Sequence, residues 1–196
     1  MRIIEGRVEA VFITPEAALV AERRQEIEST LWGIWGDRHQ GFTTLTKGKR
    51  ERSALGVELP YEGQKLQVPN WRQWSAVSTT ELKRIATNLG LAGIDLTELA
   101  SLLGANMLVS DDDKFSPRFS DVPAGSMFVF PSGCIWEVRA ENFPCDHPGK
   151  NIHNKYQQVP EAAFVKAALH NRGLMGNVFY PGVIKVGDNF KLQIRE

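Results

Sequence analysis

The chain of 196 residues sets 23 basic against 23 acidic side chains, for a formal net charge of zero, and is 42% hydrophobic. Such a composition excludes a disordered or collagen-like chain and argues against charge-driven nucleic-acid binding, which needs surplus Lys and Arg. No apolar run has the length of a membrane helix, Met1–Gly6 lacks the apolar core of a signal peptide, and two cysteines are too few for a disulfide scaffold, so we expect a single cytoplasmic domain over 1–196 with free thiols and neither membrane nor nucleic acid as partner.

In chain order, Ile3–Thr14 reads as a strand ended by Pro15. The charged segment Glu16–Ser29 allows a helix or an exposed excursion. From Leu31 to Pro69, glycines interrupt every apolar run, and a long irregular stretch of this kind is more often functional than inert. Ser78-Thr79-Thr80-Glu81 has capping-box spacing; Leu82, Ile85, Ala86 and Leu89 follow on one helical face, and Gly90 stops it. Asp95–Glu98 repeats the device before Leu99, Leu102, Leu103 and Gly104. Asn106–Ser110 is a short strand, and Pro131-Ser132-Gly133 joins Ser126–Phe130 to Cys134–Ala140 as a hairpin. Pro160 opens a third helix that Gly173 closes, with His170 and Arg172 suited to its negative end. Strands over 178–180, 183–186 and 190–194 complete a mainly β pattern, which predicts a barrel or a strongly bent sheet with few helices.

Candidate chemistry is concentrated in a few places. Cys145 lies between Pro144 and Asp146-His147-Pro148, where the prolines keep it out of helix interior and sheet centre. It is either an exposed, aimed thiol or a structural one; any activating cation must come from far along the chain, because Glu141 and Asp146 are its charged neighbours. Cys134 begins a strand and reads as packing. Gly36 and Gly41 bracket Asp37-Arg38-His39, which offers a guanidinium fork and an imidazole to an anion, or forms a plain turn. Arg72, between Trp71 and Trp74, either belongs to a stacking wall or sits beside two core rings. The run Lys47–Arg52 is a phosphate site or a solvated loop. Cys145, His147 and His153 are metal-ligand types, but no CxxC or HExxH spacing supports them. Walker, GxGxxG and GxSxG elements are absent from the sequence.

Several pieces taken in order resemble the MOSC domain family, the C-terminal module of molybdenum cofactor sulfurases. They are Gly36–Gly41; Arg72 leading into Val77-Ser78; Leu103-Gly104-Ala105-Asn106-Met107; the hairpin; Pro144-Cys145; and Gly176-Asn177-Val178 through Gly182 to Gly187-Asp188. They span roughly 30–190. The resemblance implies a MOSC-type β-barrel with a few peripheral α-helices. It implies a sulfur carrier or sulfurtransferase in which Cys145 holds a persulfide and delivers sulfur to a metal–sulfur centre, most naturally the molybdenum cofactor. Asp37, Arg38, His39, Arg72 and Asn106 would lie beside that anionic group. The desulfurase domain of the large sulfurases is not in this sequence, so the resemblance implies a pyridoxal phosphate-independent protein. Its sulfur would come from a cysteine desulfurase and go to a molybdoenzyme or pterin cofactor. The alternative it carries is a molybdenum cofactor-binding module with Cys145 as metal ligand, acting in reduction of N-hydroxylated compounds.

Overall fold

β1 (Arg2–Ile13) is the longest of the described strands, and its inward and outward residues are both apolar: Ile4, Val8 and Val11 join one core, Ala10 and Phe12 another. That double burial places it between two layers. The computed structural model describes residues 2–15, 20–45, 67–110 and 118–196. The basic run Lys47–Arg52 therefore lies outside the described residues.

The strands after β1 are β2 (Glu22–Arg24), β3 (Glu26–Thr30), β4 (Gly33–Ile34), β5 (Thr43–Leu45), β6 (Gln67–Pro69) and β7 (Trp74–Ser78). Helices α1 (Thr79–Asn88) and α2 (Leu96–Leu102) lead to β8 (Met107–Ser110). β9 (Met127–Val129) and β10 (Ile135–Glu141) form the expected hairpin, followed by α3 (Asp146–Lys155), α4 (Ala163–Ala167), β11 (Leu174–Tyr180), β12 (Gly182–Lys185) and β13 (Asn189–Ile194).

The main sheet runs β13-β9-β10-β11-β7-β8-β1, and β13 pairs back onto β1, closing a seven-strand barrel; β2 extends beyond β1. A register shift between Val8 and Ala10 lets β1 turn from β13 to β8, the bend a bulge supplies. β7 and β8 pair in parallel, with α1 and α2 as their crossover. The mainly β barrel with peripheral helices is thus the observed architecture. β12, β3 and β4 make a separate three-stranded sheet, and β5 pairs with β6.

Inside the barrel, Trp74 stacks on Trp136 with ring centroids 4.8 Å apart, and Phe128, Phe130 and Phe190 surround them. Trp74 is thus core and takes no part in a ligand wall. Cys134 is buried in the same cluster; burial pushes its thiol up to about 11, with a contact to Ser29 opposing. Outside the barrel, Leu82, Ile85, Leu99, Ile152 and Phe164 bring all four described helices onto Phe12, Val77 and Leu108.

Ser78 caps α1 by accepting from Glu81 N at 3.2 Å, and Asp95 caps α2 by accepting from Thr97 N at 2.8 Å. Glu81 also reaches into the fold, where Oε1 accepts from Ser120 N at 2.7 Å. Several elements differ from the sequence reading, and short strands β4, β5 and β6 lie within the stretch read as irregular. Glu22–Ser29 pairs as strand, because β3 finds β12 and β1 finds β2. Trp74–Ser78 is a fully buried strand. A ten-residue helix follows Cys145, with Pro148 in its first turn, where its missing N–H costs no hydrogen bond.

Candidate functional site

The loop Gly36–Gly41 is built around Asp37, whose carboxylate is buried and accepts four hydrogen bonds. Oδ2 accepts from Thr14 N and Asn106 Nδ2, each at 2.8 Å; Oδ1 accepts from His39 N at 2.9 Å and faces His39 Nδ1 at 3.0 Å. Burial alone would raise the Asp37 pKa. The bonds from the His39 ring, Thr14 and the His39 amide outweigh burial and hold it below 3.8. Because a carboxylate only accepts, His39 Nδ1 carries the proton and Nε2 is left as an acceptor. Asn106 is buried too, its Oδ1 accepting from Ser75 N at 2.9 Å. Asp37 and Asn106 therefore bind each other and the barrel, while Arg38 and His39 extend outward from this anchor.

Three amides clip the loop's far side. Asn70 Nδ2 donates to the carbonyls of His39 (2.6 Å) and Gly41 (3.0 Å), and its Oδ1 accepts from Arg72 N at 3.1 Å. Gln73 Nε2 reaches Leu31 O at 3.1 Å, and Asn177 Nδ2 reaches Asn70 O at 2.6 Å. Arg72 is thereby brought up to the loop, half-buried and within electrostatic reach of His39. Burial first, then Arg72 and Arg38, push the His39 ring below its ordinary 6.5 against the pull of Asp37.

Cys145 arrives from another direction. Where β10 ends, Asn142 N donates to Gly173 O at 2.8 Å, tying the Cys145 segment to the start of β11. Pro144 is buried, and Cys145 is the N-cap residue of α3, partly exposed. From α3, Asn151 Nδ2 donates to Leu102 O at 3.0 Å, so the helix is docked on the C-terminal end of α2. Cys145 thus sits at the N-terminal end of α3, and its side chain makes no capping hydrogen bond there.

Arg172 joins these parts, although its place in the sequence suggests only a helix-end role. It is 2% exposed. Nη2 donates to Leu103 O, and Nη1 is buried without a hydrogen-bond partner among the described residues. Across the same turn, Arg38 Nη2 lies 3.7 Å from where a side chain on Gly104 would begin. Burial, then Arg72 and Arg38, pull the Arg172 guanidinium down to about 9, and Cys145 opposes them. It remains a cation at neutral pH. Three guanidinia, from β1–β7 loops and the β11 approach, thus share one electrostatic neighbourhood with Cys145. The signal that could have exposed Arg172 is its place between a helix stop and Gly173, whose φ of +80° and close approach to the Ala76 carbonyl leave no room for a Cβ.

Among the described residues, no group of three or more His, Cys, Asp and Glu is arranged to hold a metal ion. His147 is exposed and His153 Nδ1 lies 2.9 Å from Val159 O, so the two do not gather around Cys145. No described helix is long and apolar enough to cross a membrane.

The MOSC domain profile matches residues 63–191, which contain strands β6–β12, the start of β13, Arg72, Cys145 and Arg172. The chain belongs to the MOSC domain family. This MOSC protein is 32% identical over 189 residues to YuaD of Bacillus subtilis (strain 168), a protein provisionally named for metal–sulfur cluster biosynthesis; the match covers 95% of this chain and 90% of YuaD. The crystal structure of Bacillus subtilis YuaD superposes with a TM-score of 0.85 at 29% identity, covering 100% of this chain and 99% of that one. YiiM from Escherichia coli shares the fold at 13% identity and a TM-score of 0.52, over 97% of this chain and 71% of YiiM.

Proposed function

We propose that this MOSC protein is a sulfur carrier of metal–sulfur centre assembly, with Cys145 as the sulfur-bearing residue. The observation that carries the reading is that Cys145, at the start of α3, lies within electrostatic reach of the buried Arg172, whose Nη1 has no hydrogen-bond partner among the described residues. Membership of the MOSC family and the likeness to YuaD support the sulfur-related role.

Loading is thiolate exchange. The Cys145 thiolate attacks the outer sulfur of a persulfide on a cysteine desulfurase. A bond forms between the two sulfurs, the donor's S–S bond breaks, and the donor cysteine leaves as thiolate. Cys145 then carries a persulfide with no net oxidation. Delivery of that outer sulfur as sulfide to a metal–sulfur centre takes two electrons, supplied by a thiol reductant, and returns Cys145 to the thiolate.

The acceptor this reading favours is a molybdoenzyme or its pterin cofactor, as substrate. An anionic phosphate fits the residues present, because Arg172 keeps a buried N–H without a hydrogen-bond partner among the described residues, and Arg72 and Arg38 lie within its electrostatic reach. Those guanidinia would hold the group by charge-assisted bonds, and the accepting Nε2 of neutral His39 would turn to an N–H of the pterin rather than to the phosphate. When bound, the cofactor supplies a molybdenum centre able to take sulfur.

Intact-mass analysis after incubation with a cysteine desulfurase and cysteine tests the reading. The wild type should gain one reductant-labile sulfur and Cys145→Ala none; equal labelling of both would end it. Stoichiometric molybdenum in purified protein, lost in Cys145→Ala, would instead favour Cys145 as a metal ligand.

A further inference from the structure

Two polar side-chain atoms face the bare α-carbon of Gly104. A side chain there would begin 3.7 Å from Arg38 Nη2 and 3.9 Å from Thr14 Oγ1, and among the described residues, its chain neighbours apart, nothing else comes within 4 Å of that point. Gly104 follows the C-cap of α2 with a φ of +66°, which by itself favours glycine. Gly90 ends α1 in the same conformation, with a φ of +70°, and nothing lies within 4 Å of its corresponding point. The left-handed stop is thus common to both helices, and the polar pair over it marks Gly104. Thr14 is held by its backbone, its N donating to Asp37 Oδ2 at 2.8 Å and its O accepting from Arg38 N at 2.8 Å. Its hydroxyl is wholly buried and has no hydrogen-bond partner among the described residues, a state that costs stability unless a ligand or water completes it. On the preceding residue of the same turn, Leu103 O accepts from Arg172, whose buried Nη1 is also without a hydrogen-bond partner among the described residues.

We propose that Thr14, Arg38 and the bare Gly104 form a single-oxygen subsite that grips one phosphoryl oxygen of a phosphate monoester carried by the acceptor. The proposal rests on the sulfur-carrier reading and adds to it two residues, Thr14 and Gly104, that read the acceptor's phosphate. Two donors facing one point call for an oxygen that accepts twice, as a phosphoryl oxygen does. Gly104 supplies the clearance, since the space over its α-carbon holds one non-hydrogen atom in ordinary contact with both donors. Arg38 is exposed, so a small shift of its side chain lets the oxygen in and brings it to hydrogen-bond range. The ionised Asp37 carboxylate is bonded to Thr14 N and sets its charge against that of Arg38. What the place offers is therefore an arrangement of donors, with no reliance on surplus positive charge. Asp37 spends its bonds on Thr14 N, Asn106 and His39, which leaves the Thr14 hydroxyl for the ligand.

Isothermal titration of the purified protein with phenyl phosphate, and separately with inorganic phosphate, tests the subsite. We expect the wild type to bind the ester at least as tightly as inorganic phosphate. Thr14→Val should raise the dissociation constant for the ester at least about tenfold, the scale of a lost hydrogen bond to a charged group, and Thr14→Ser, which keeps the hydroxyl, should restore it. Gly104→Ala should lose binding. Gly90→Ala imposes the same left-handed strain without the polar pair and should bind like the wild type. Without ligand, Thr14→Val should melt no lower than the wild type, because the hydroxyl it removes has no bond to lose among the described residues. A lower melting temperature would reveal an internal structural bond and overturn the proposal. Equal ester affinity in wild type and Thr14→Val, or binding of inorganic phosphate alone, would also overturn it. Loading of Cys145 by a cysteine desulfurase and cysteine is read on the same wild-type preparation. Loading without ester binding would overturn this inference and leave the carrier reading standing. Ester binding that depends on Thr14, without loading, would overturn the carrier reading and leave the subsite, and neither would overturn both.

Discussion

Asn106 Nδ2 lies 2.8 Å from Asp37 Oδ2, joining the start of β8 to a loop 69 residues earlier in the chain. This bond, together with those from Thr14 and His39, makes Asp37 the point on which the Gly36–Gly41 loop is mounted. Asp37→Ala should therefore destabilise the fold by about 3 kcal/mol, the scale of losing charge-assisted bonds in a buried setting and orphaning their donors. Denaturant titration checks this. Because the carboxyl is held below 3.8 in the fold, its contribution is complete above 3.8 and is lost as pH falls through the lower folded value.

His39 gives a second window. Its folded pKa is depressed below 6.5, so the unfolded chain takes up a proton first as pH falls. Stability from the neutral ring is complete above 6.5 and declines below it. His39→Asn, which keeps a donor for Asp37, should flatten the fall in stability between about pH 7 and pH 5 relative to wild type. Denaturation midpoints across that range decide it; identical slopes in both proteins would refute the assignment.

The two thiols should separate cleanly in labelling. Cys145 is partly exposed at the start of α3, whereas Cys134 is buried among barrel aromatics and pushed up to about 11. Under native conditions at neutral pH, a maleimide should modify Cys145 and leave Cys134 untouched until the protein is unfolded. Peptide mapping of the labelled protein gives the answer, and rapid native labelling of Cys134 would contradict the packing.

Arg172 should trade stability against activity. Arg172→Met removes a buried cation repelled by Arg72 and Arg38 while leaving Leu103 O without its donor. We expect stability to be unchanged or higher by up to about 2 kcal/mol, as for buried charges replaced by apolar groups of similar volume. Sulfur loading of Cys145 should fall at least about tenfold. A thermal melt and a persulfide assay on the same preparation test both halves.

Much of this was legible in the residues. Ser78 and Asp95 announce their helices because capping is local, and the Pro131–Gly133 turn sets its hairpin. β7 was hidden because both its faces are covered, one by the barrel core and one by helices, so Trp74–Ser78 shows no alternation. α3 was hidden because it buries only Pro148, Gly149, Asn151 and Ile152, of which Ile152 is the sole large aliphatic residue. In the site, the Arg38-His39 loop, Arg72 and Cys145 stood out by chemistry. Arg172 did not, because next to a helix end it resembles an ordinary dipole partner; only the fold brings it to Leu103 O.

The barrel's seam pairs Arg2 with Ile194, the widest sequence separation in the sheet. During synthesis the first strand must wait for the last, so the aromatic interior around Trp74, Trp136 and Phe190 stays open until β13 has emerged. Loss of β13 alone would leave an unsealed cylinder, with no partner for β1 or β9 along that edge.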